Sequence, residues 1–306
     1  MIVVACPGQG SQKAGFLAPW LGETRFAWHL AAISEACGID LAMHGTMSDN
    51  ATITETSLAQ PLIVAAGLLV LGELLADGRR AKIGGVAGHS VGEITAAAAA
   101  GILTEDDAVS FVRERGLAMA EAAGHDETGM SAVLGADETE LERLLAQFGL
   151  APANYNGGGQ IVVAGPVKAL AELKENPPAH ARVIPLRVAG AFHTRFMLPA
   201  VQRLTAYAAT LPAADPQMRV WSNRDGQTVG DGRRFVDLMI GQVSSPVRWD
   251  RCMKSFVAAG ITGLIEVCPA GALVGLAKRG LPGIPTVAVK TPDDLPAAIE
   301  LIDRDS

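Results

Sequence analysis

The run Val86-Ala87-Gly88-His89-Ser90-Val91-Gly92-Glu93 decides the fold of this chain. Ahead of it, residues 83–87 are small and apolar, as a buried strand requires. Behind it, Ile94-Thr95 opens a run of five alanines that favours helix. Strand, Gly-x-Ser-x-Gly, helix is the order of a nucleophile elbow. The turn forces the serine into a strained backbone, and Gly88 and Gly92 remove the bulk that would block it. The hydroxyl then stands clear of the sheet, with the next N–H at the positive end of a helix. In a chain with 34 glycines the five-residue motif alone is weak, and the strand and helix around it make it informative.

Outward from the elbow, short apolar strands alternate with helices. Strands are expected over residues 2–6, 219–223, 263–267 and 286–289. Helices are expected over 27–37, 56–75, 104–119, 197–210, 235–242, 249–259 and 272–278, the second interrupted early at Gln60-Pro61. This alternation gives an α/β layered, mainly parallel sheet. Between residues 126 and 190 the pattern changes to strand 130–134, helix 137–148, strands 152–156 and 161–164 around Gly157-Gly158-Gly159, helix 166–175 and strand 182–188. That βαββαβ order is ferredoxin-like. The expected organisation is a large α/β-hydrolase-like domain, residues 1–125 and 191–306, with a small ferredoxin-like subdomain, 126–190, inserted as a lid.

A chain of 306 residues with 49% hydrophobic and 19% charged residues can bury a large core and is globular. A net charge of −7 argues against nucleic acid as a main partner. Cys6, Cys37, Cys252 and Cys268 are far apart and form no metal-binding spacing, so they read as reduced thiols of a cytoplasmic protein with no metal site. The first residues lack a basic n-region, and no apolar run is read as approaching the roughly 20 residues of a membrane helix.

A serine nucleophile needs a base, a group to orient that base, and donors for the oxyanion. Among six histidines, His29, His44, His125 and His180 sit in polar settings, and His89 is next to the serine on a turn that splays neighbours apart. His193, in a small-residue loop between the two units, is the candidate base. No Asp or Glu stands where an α/β-hydrolase triad would need it, so a neutral carbonyl is the expected orienting group. Pro7-Gly8-Gln9-Gly10-Ser11-Gln12 lacks the Lys-Ser/Thr of a phosphate loop, and its better use is close approach of a backbone N–H. On helix 104–119, Arg115 shares a face with Val112 and Met119. A cation on an inward face is either ion-paired or awaiting an anion.

Taken together, Pro7-Gly8-Gln9-Gly10-Ser11-Gln12, Gly88-His89-Ser90-Val91-Gly92-Glu93, Arg115-Gly116, Ala191-Phe192-His193, Gln242 ahead of Pro246-Val247, and Glu266-Val267-Cys268-Pro269-Ala270-Gly271 resemble the malonyl-CoA:acyl-carrier-protein transacylases over essentially the whole chain. The resemblance implies Ser90 as the acylated nucleophile, His193 as its base and Gln242 as the residue whose carbonyl holds the imidazole. It implies the N–H groups of Gln9 and Val91 as the oxyanion hole, Arg115 as the clamp on the malonyl carboxylate, and Gln60 and Asn154 as polar residues of the pocket. Val91 and Ala191-Phe192 resemble malonyl-type signatures; Cys268 departs from a family glycine. No cofactor is implied. The implied partners are malonyl-CoA and an acyl carrier protein, met by a monomer, with Arg187, Arg195, Lys278 and Arg279 as candidate docking cations. A serine esterase or thioesterase is the alternative activity, and it calls for an acid on His193.

Overall fold

The computed structural model describes residues 1–304. In chain order the elements are β1 (Ile2–Cys6), α1 (Ala18–Leu21), α2 (Thr24–Cys37), α3 (Leu41–Met47), α4 (Thr56–Leu74), β2 (Ile83–Gly88), α5 (Gly92–Ala99) and α6 (Glu105–Ala123). There follow β3 (Thr128–Leu134), α7 (Glu138–Phe148), β4 (Ala151–Gly157), β5 (Gln160–Pro166), α8 (Val167–Glu175) and β6 (Arg182–Pro185). The chain continues through α9 (Leu198–Ala208), β7 (Val220–Trp221), α10 (Gly232–Gln242), α11 (Trp249–Ala258), β8 (Gly263–Glu266), α12 (Ala272–Gly280), β9 (Thr286–Ala288) and α13 (Leu295–Arg304).

The first sheet runs β7-β2-β1-β8-β9 with every pair parallel. Its centre, β1, is buried at all five residues, as the run Ile-Val-Val-Ala-Cys requires of a strand covered on both faces. Register Val4↔Val86 and Cys6↔Gly88 ends β1 and β2 side by side, so the Pro7–Gln12 loop and the elbow leave the sheet at the same edge. In parallel sheets that carboxyl edge is where ligands bind.

The second sheet is antiparallel, in the order β4-β5-β3-β6. With α7 and α8 it has the strand order expected of a ferredoxin-like unit. Its own core joins Val133, Leu141, Leu145, Val163, Leu170 and Leu173. Its edge strand β4 is bonded to the segment before α11: Tyr155 N–H donates to the Val247 carbonyl and Val247 N–H to that of Ala153, both at 2.9 Å.

Several sequence expectations need correction. Helix α4 is continuous through Gln60-Pro61. Proline removes the bond to the Ser57 carbonyl, and Arg113 Nη1 from α6 lies 3.4 Å from that oxygen instead. At 19 residues α4 is also long and apolar enough to cross a membrane, contrary to the expectation that no run approaches that length. It is the central core helix, buried along most of its length and packed against α2, α5 and α6, which is why it is apolar on every side. Strand β7 is two residues long, β6 stops at Pro185, and α1, α3 and α13 were not expected.

Candidate active site

Glycine makes the elbow possible. A Cβ on Gly88 would lie 1.9 Å from the carbonyl carbon of Gly92, and one on Gly92 would lie 2.1 Å from the carbonyl oxygen of Cys6. With both removed, Ser90 takes φ 54°, the left-handed region that a side chain rarely occupies. Its N–H is held by Asn223 Oδ1 at 2.9 Å. Its Oγ emerges into an open cavity of about 680 Å³ between the two sheets, with Arg115, Met130, Asn154, Val162 and Phe192 among the lining residues.

His193 also has a left-handed backbone, φ 62°. Its N–H donates to the Val243 carbonyl at 3.0 Å. Ring Nδ1 lies 2.8 Å from the backbone carbonyl of Gln242 and Nε2 lies 2.7 Å from Ser90 Oγ. A carbonyl can only accept, so Nδ1 carries the proton and Nε2 turns its lone pair to the hydroxyl. Burial first, then the nearby Arg115 cation, pushes the imidazole pKa down to about 3, so it is a neutral base throughout the physiological range. Among the described residues no carboxylate is hydrogen-bonded to the ring.

Arg115 is fully buried on α6 and ends on neutral oxygens. Nη1 donates to Gln60 Oε1 at 2.7 Å and Nη2 to Gln242 Oε1 at 3.1 Å, and Nη2 also lies 3.4 Å from Ser90 Oγ. Burial lowers its pKa to about 10, which leaves it charged at neutral pH, and Glu93 opposes that shift. A guanidinium satisfied by carboxamides, with no carboxylate bonded to it among the described residues, has the chemistry to receive an incoming anion. Its position fits a short acyl group carrying a free carboxylate once that group is esterified to Ser90.

Gln9, Val91 and Asn154 line the same cavity. The N–H groups of Gln9 and Val91 meet no acceptor in the backbone hydrogen-bond pattern of the described residues. The loop that carries Gln9 is braced from outside. Gln9 Nε2 donates to Thr54 O at 3.2 Å and Gln12 Nε2 to Ile53 O at 3.1 Å, while Gln12 Oε1 accepts from Gly10 N–H. His89 turns away from the serine and bonds Asn156 Oδ1 at 2.9 Å. Of the four candidate docking cations, all exposed, Arg187 and Arg279 line the cavity and Arg195 and Lys278 do not.

Two residues behind the cavity had no role in the sequence reading. Glu93 is buried on α5, and Asn223 follows β7; Asn223 Nδ2 donates to the Gly88 carbonyl at 2.7 Å and its N–H to Glu93 Oε1 at 2.6 Å. Glu93 stood inside the quoted motif, an acid in an otherwise small and apolar stretch, and that was the only signal available. Asn223 gave none.

A sequence model of the acyl transferase domain matches residues 3–291. A malonyl CoA-acyl carrier protein transacylase of Mycobacterium tuberculosis is 50% identical over 299 residues, 96% of this chain and 98% of that protein. The crystal structure of MCAT from Mycobacterium tuberculosis superposes with a TM-score of 0.94 at 49% identity, covering 98% of this chain and 99% of that one. A type II PKS acyl-carrier protein in complex with its malonyl-transacylase contains a chain that superposes at 0.92, with 28% identity and 98% and 99% coverage. A match that spans both sheets and every residue of the cavity makes the assignment: this chain belongs to the acyl transferase family of the malonyl CoA-acyl carrier protein transacylases.

Proposed function

We infer that the chain transfers a malonyl group from malonyl-CoA to the phosphopantetheine thiol of an acyl carrier protein, for fatty-acid or polyketide synthesis. The observation that carries this reading is the meeting of Ser90 Oγ with both His193 Nε2, at 2.7 Å, and the Arg115 guanidinium, at 3.4 Å.

In the first half-reaction His193 Nε2 takes the proton of Ser90 as Oγ attacks the thioester carbonyl. The oxyanion is received by the N–H groups of Gln9 and Val91, each worth about 3 kcal/mol in comparable sites. The C–S bond breaks, the thiol departs with the proton held by His193, and malonyl-Ser90 remains. In the second half the carrier thiol gives its proton to the same nitrogen and attacks the ester. The C–O bond breaks and Ser90 recovers its proton. The Gln242 carbonyl keeps the ring in the required tautomer through both halves.

Arg115 selects the acyl group. A malonyl carboxylate forms a charge-assisted pair with it, whereas an acetyl group leaves the buried cation unmatched, about 2–4 kcal/mol worse. Gln60 holds the other edge of the guanidinium, and Asn154 contributes polarity to the cavity wall. Residues 126–190 act as an inserted lid, a reading supported by the cavity-lining Met130, Asn154 and Val162 of the second sheet. Four free buried thiols suit the cytoplasm.

The bond from His193 to a neutral carbonyl disfavours a Ser-His-acid esterase. The experiment is intact-mass analysis after mixing with malonyl-CoA, followed by a pantetheine thiol. A malonyl adduct on Ser90 that persists in water and is discharged by the thiol is expected. Steady hydrolysis without the thiol would return the esterase reading, and no adduct would refute both.

A further inference from the structure

Gln242 touches the imidazole through its backbone carbonyl and the cation through its side chain, so the orientation of its carboxamide is felt by the cation. Its Nε2 faces three oxygens: it donates to Glu93 Oε2, and lies 3.1 Å from Asn223 Oδ1 and 3.3 Å from the Ser90 carbonyl. Its Oε1 is thereby turned to Arg115 Nη2. Glu93 is 1% exposed and does not cap its own helix. Its two oxygens instead reach across to Asn223 N–H and the Ser222 side chain, after β7, and to Gln242, at the end of α10. One carboxyl group thus bridges three segments that meet under the serine; burial pushes its pKa up to about 8, and the Asn223 N–H, the Arg115 cation, Ser222 and Gln242 oppose that shift by favouring the charged form.

We propose that Glu93 is a positioning residue for acyl specificity: by fixing the Gln242 carboxamide with its oxygen toward Arg115, it keeps the guanidinium aimed at the acyl group on Ser90. This rests on the reading of Ser90 and Arg115 given above. A carboxylate offers an acceptor to both of its N–H partners, whereas a carboxamide at position 93 offers one acceptor and confronts the other partner with a second N–H. The conflict is relieved by turning or displacing Gln242, which takes its oxygen away from Arg115. Acetyl transfer does not use Arg115 and is spared.

The test is Glu93→Gln, assayed with malonyl-CoA and acetyl-CoA, with active sites counted by a serine-directed fluorophosphonate. The ratio of kcat/KM for malonyl over acetyl is expected to fall about tenfold per active site, the size of one lost hydrogen bond to a charged group. In a Gln242→Ala background the same change is expected to leave the ratio unaltered, since Glu93 then has no carboxamide to hold. A ratio equal to wild type, or an equal loss for both substrates, overturns the proposal and leaves Glu93 a structural acid. If Glu93→Gln does not fold, Glu93→Asp decides: it keeps the carboxyl group but shortens the reach by one methylene, and an unchanged ratio there is equally fatal. Wild-type protein that forms no malonyl adduct refutes the transferase reading itself, a result distinct from any of these.

Discussion

Ser90 and His193 share an uncommon backbone, with φ of 54° and 62°, yet they are held there by different means. The serine is forced locally. Gly88 and Gly92, two residues to either side, let the backbone approach so closely that a Cβ at either position would overlap main-chain atoms. The histidine is held from a distance. Its loop is tied by Thr194 Oγ1 to the Ala191 carbonyl at 2.7 Å, by Ala191 N–H to Thr128 Oγ1 at 3.0 Å, and by His193 N–H to Val243 O at 3.0 Å. Ser90 is therefore placed by steric exclusion and His193 by a set of separate hydrogen bonds. The first should fail all at once and the second by degrees.

The sharpest way to break this contrast is Gly88→Ala. The added methyl meets backbone rather than a movable side chain, and overpacking of that kind costs about 3 kcal/mol or more. The expected outcome is a melting temperature lower by at least about 5 °C, with acylation of Ser90 by malonyl-CoA reduced on the order of a thousandfold in whatever folds. Near-normal acylation would show that the turn tolerates a side chain and that the steric account is wrong.

On the other loop, Thr194→Val keeps shape and loses two bonds, the one Oγ1 donates to the Ala191 carbonyl and the longer one it accepts from Phe196 N–H at 3.4 Å, together about 1–2 kcal/mol. Stability measured by urea unfolding should fall by that amount, and acylation by less than tenfold. A loss as large as that of Gly88→Ala would erase the distinction between the two loops.

The smallest expected change is with pH. The His193 imidazole sits near 3 rather than its ordinary 6.5, so it remains neutral as pH falls. The rate of Ser90 acylation by acetyl-CoA, in which the Glu93 carboxyl, raised to about 8 by burial, has no part, should stay within about twofold from pH 8 to pH 5, where an unshifted histidine would lose most of its neutral form. The same depression has the opposite consequence for stability. Below about pH 6.5 the unfolded chain takes up a proton that the folded one refuses, which costs about 1.4 kcal/mol per pH unit. A rate that fell with a midpoint near 6.5 would place His193 in contact with solvent.

The same division explains what could be read before the structure. The elbow was legible because its cause lies within five residues, and Arg115 because helical spacing put it among Val112 and Met119. The βαββαβ order of residues 128–185 was legible because each of its elements has its own period and turn. Gln242, whose carbonyl lies 49 residues from His193 in sequence, came from family resemblance alone. The Glu93–Asn223–Gln242 bridge escaped notice because its bonds span 130 and 149 residues and no local pattern marks them. Pro61 misled for a related reason: the oxygen it frees is approached by Arg113, 56 residues away from Ser57, so the expected break in α4 is absent.

Central to the proposed function is a buried cation that stands beside Ser90 in one cavity and pairs with an incoming carboxylate. Its most direct test is the competition between malonyl-CoA and acetyl-CoA for acylation of Ser90 in Arg115→Ala, read by intact mass. The expected result is a malonyl preference reduced by about 2–4 kcal/mol, roughly 30- to 1,000-fold, with the acetyl adduct rising relative to the malonyl one. A malonyl preference that survives the substitution unchanged would contradict it.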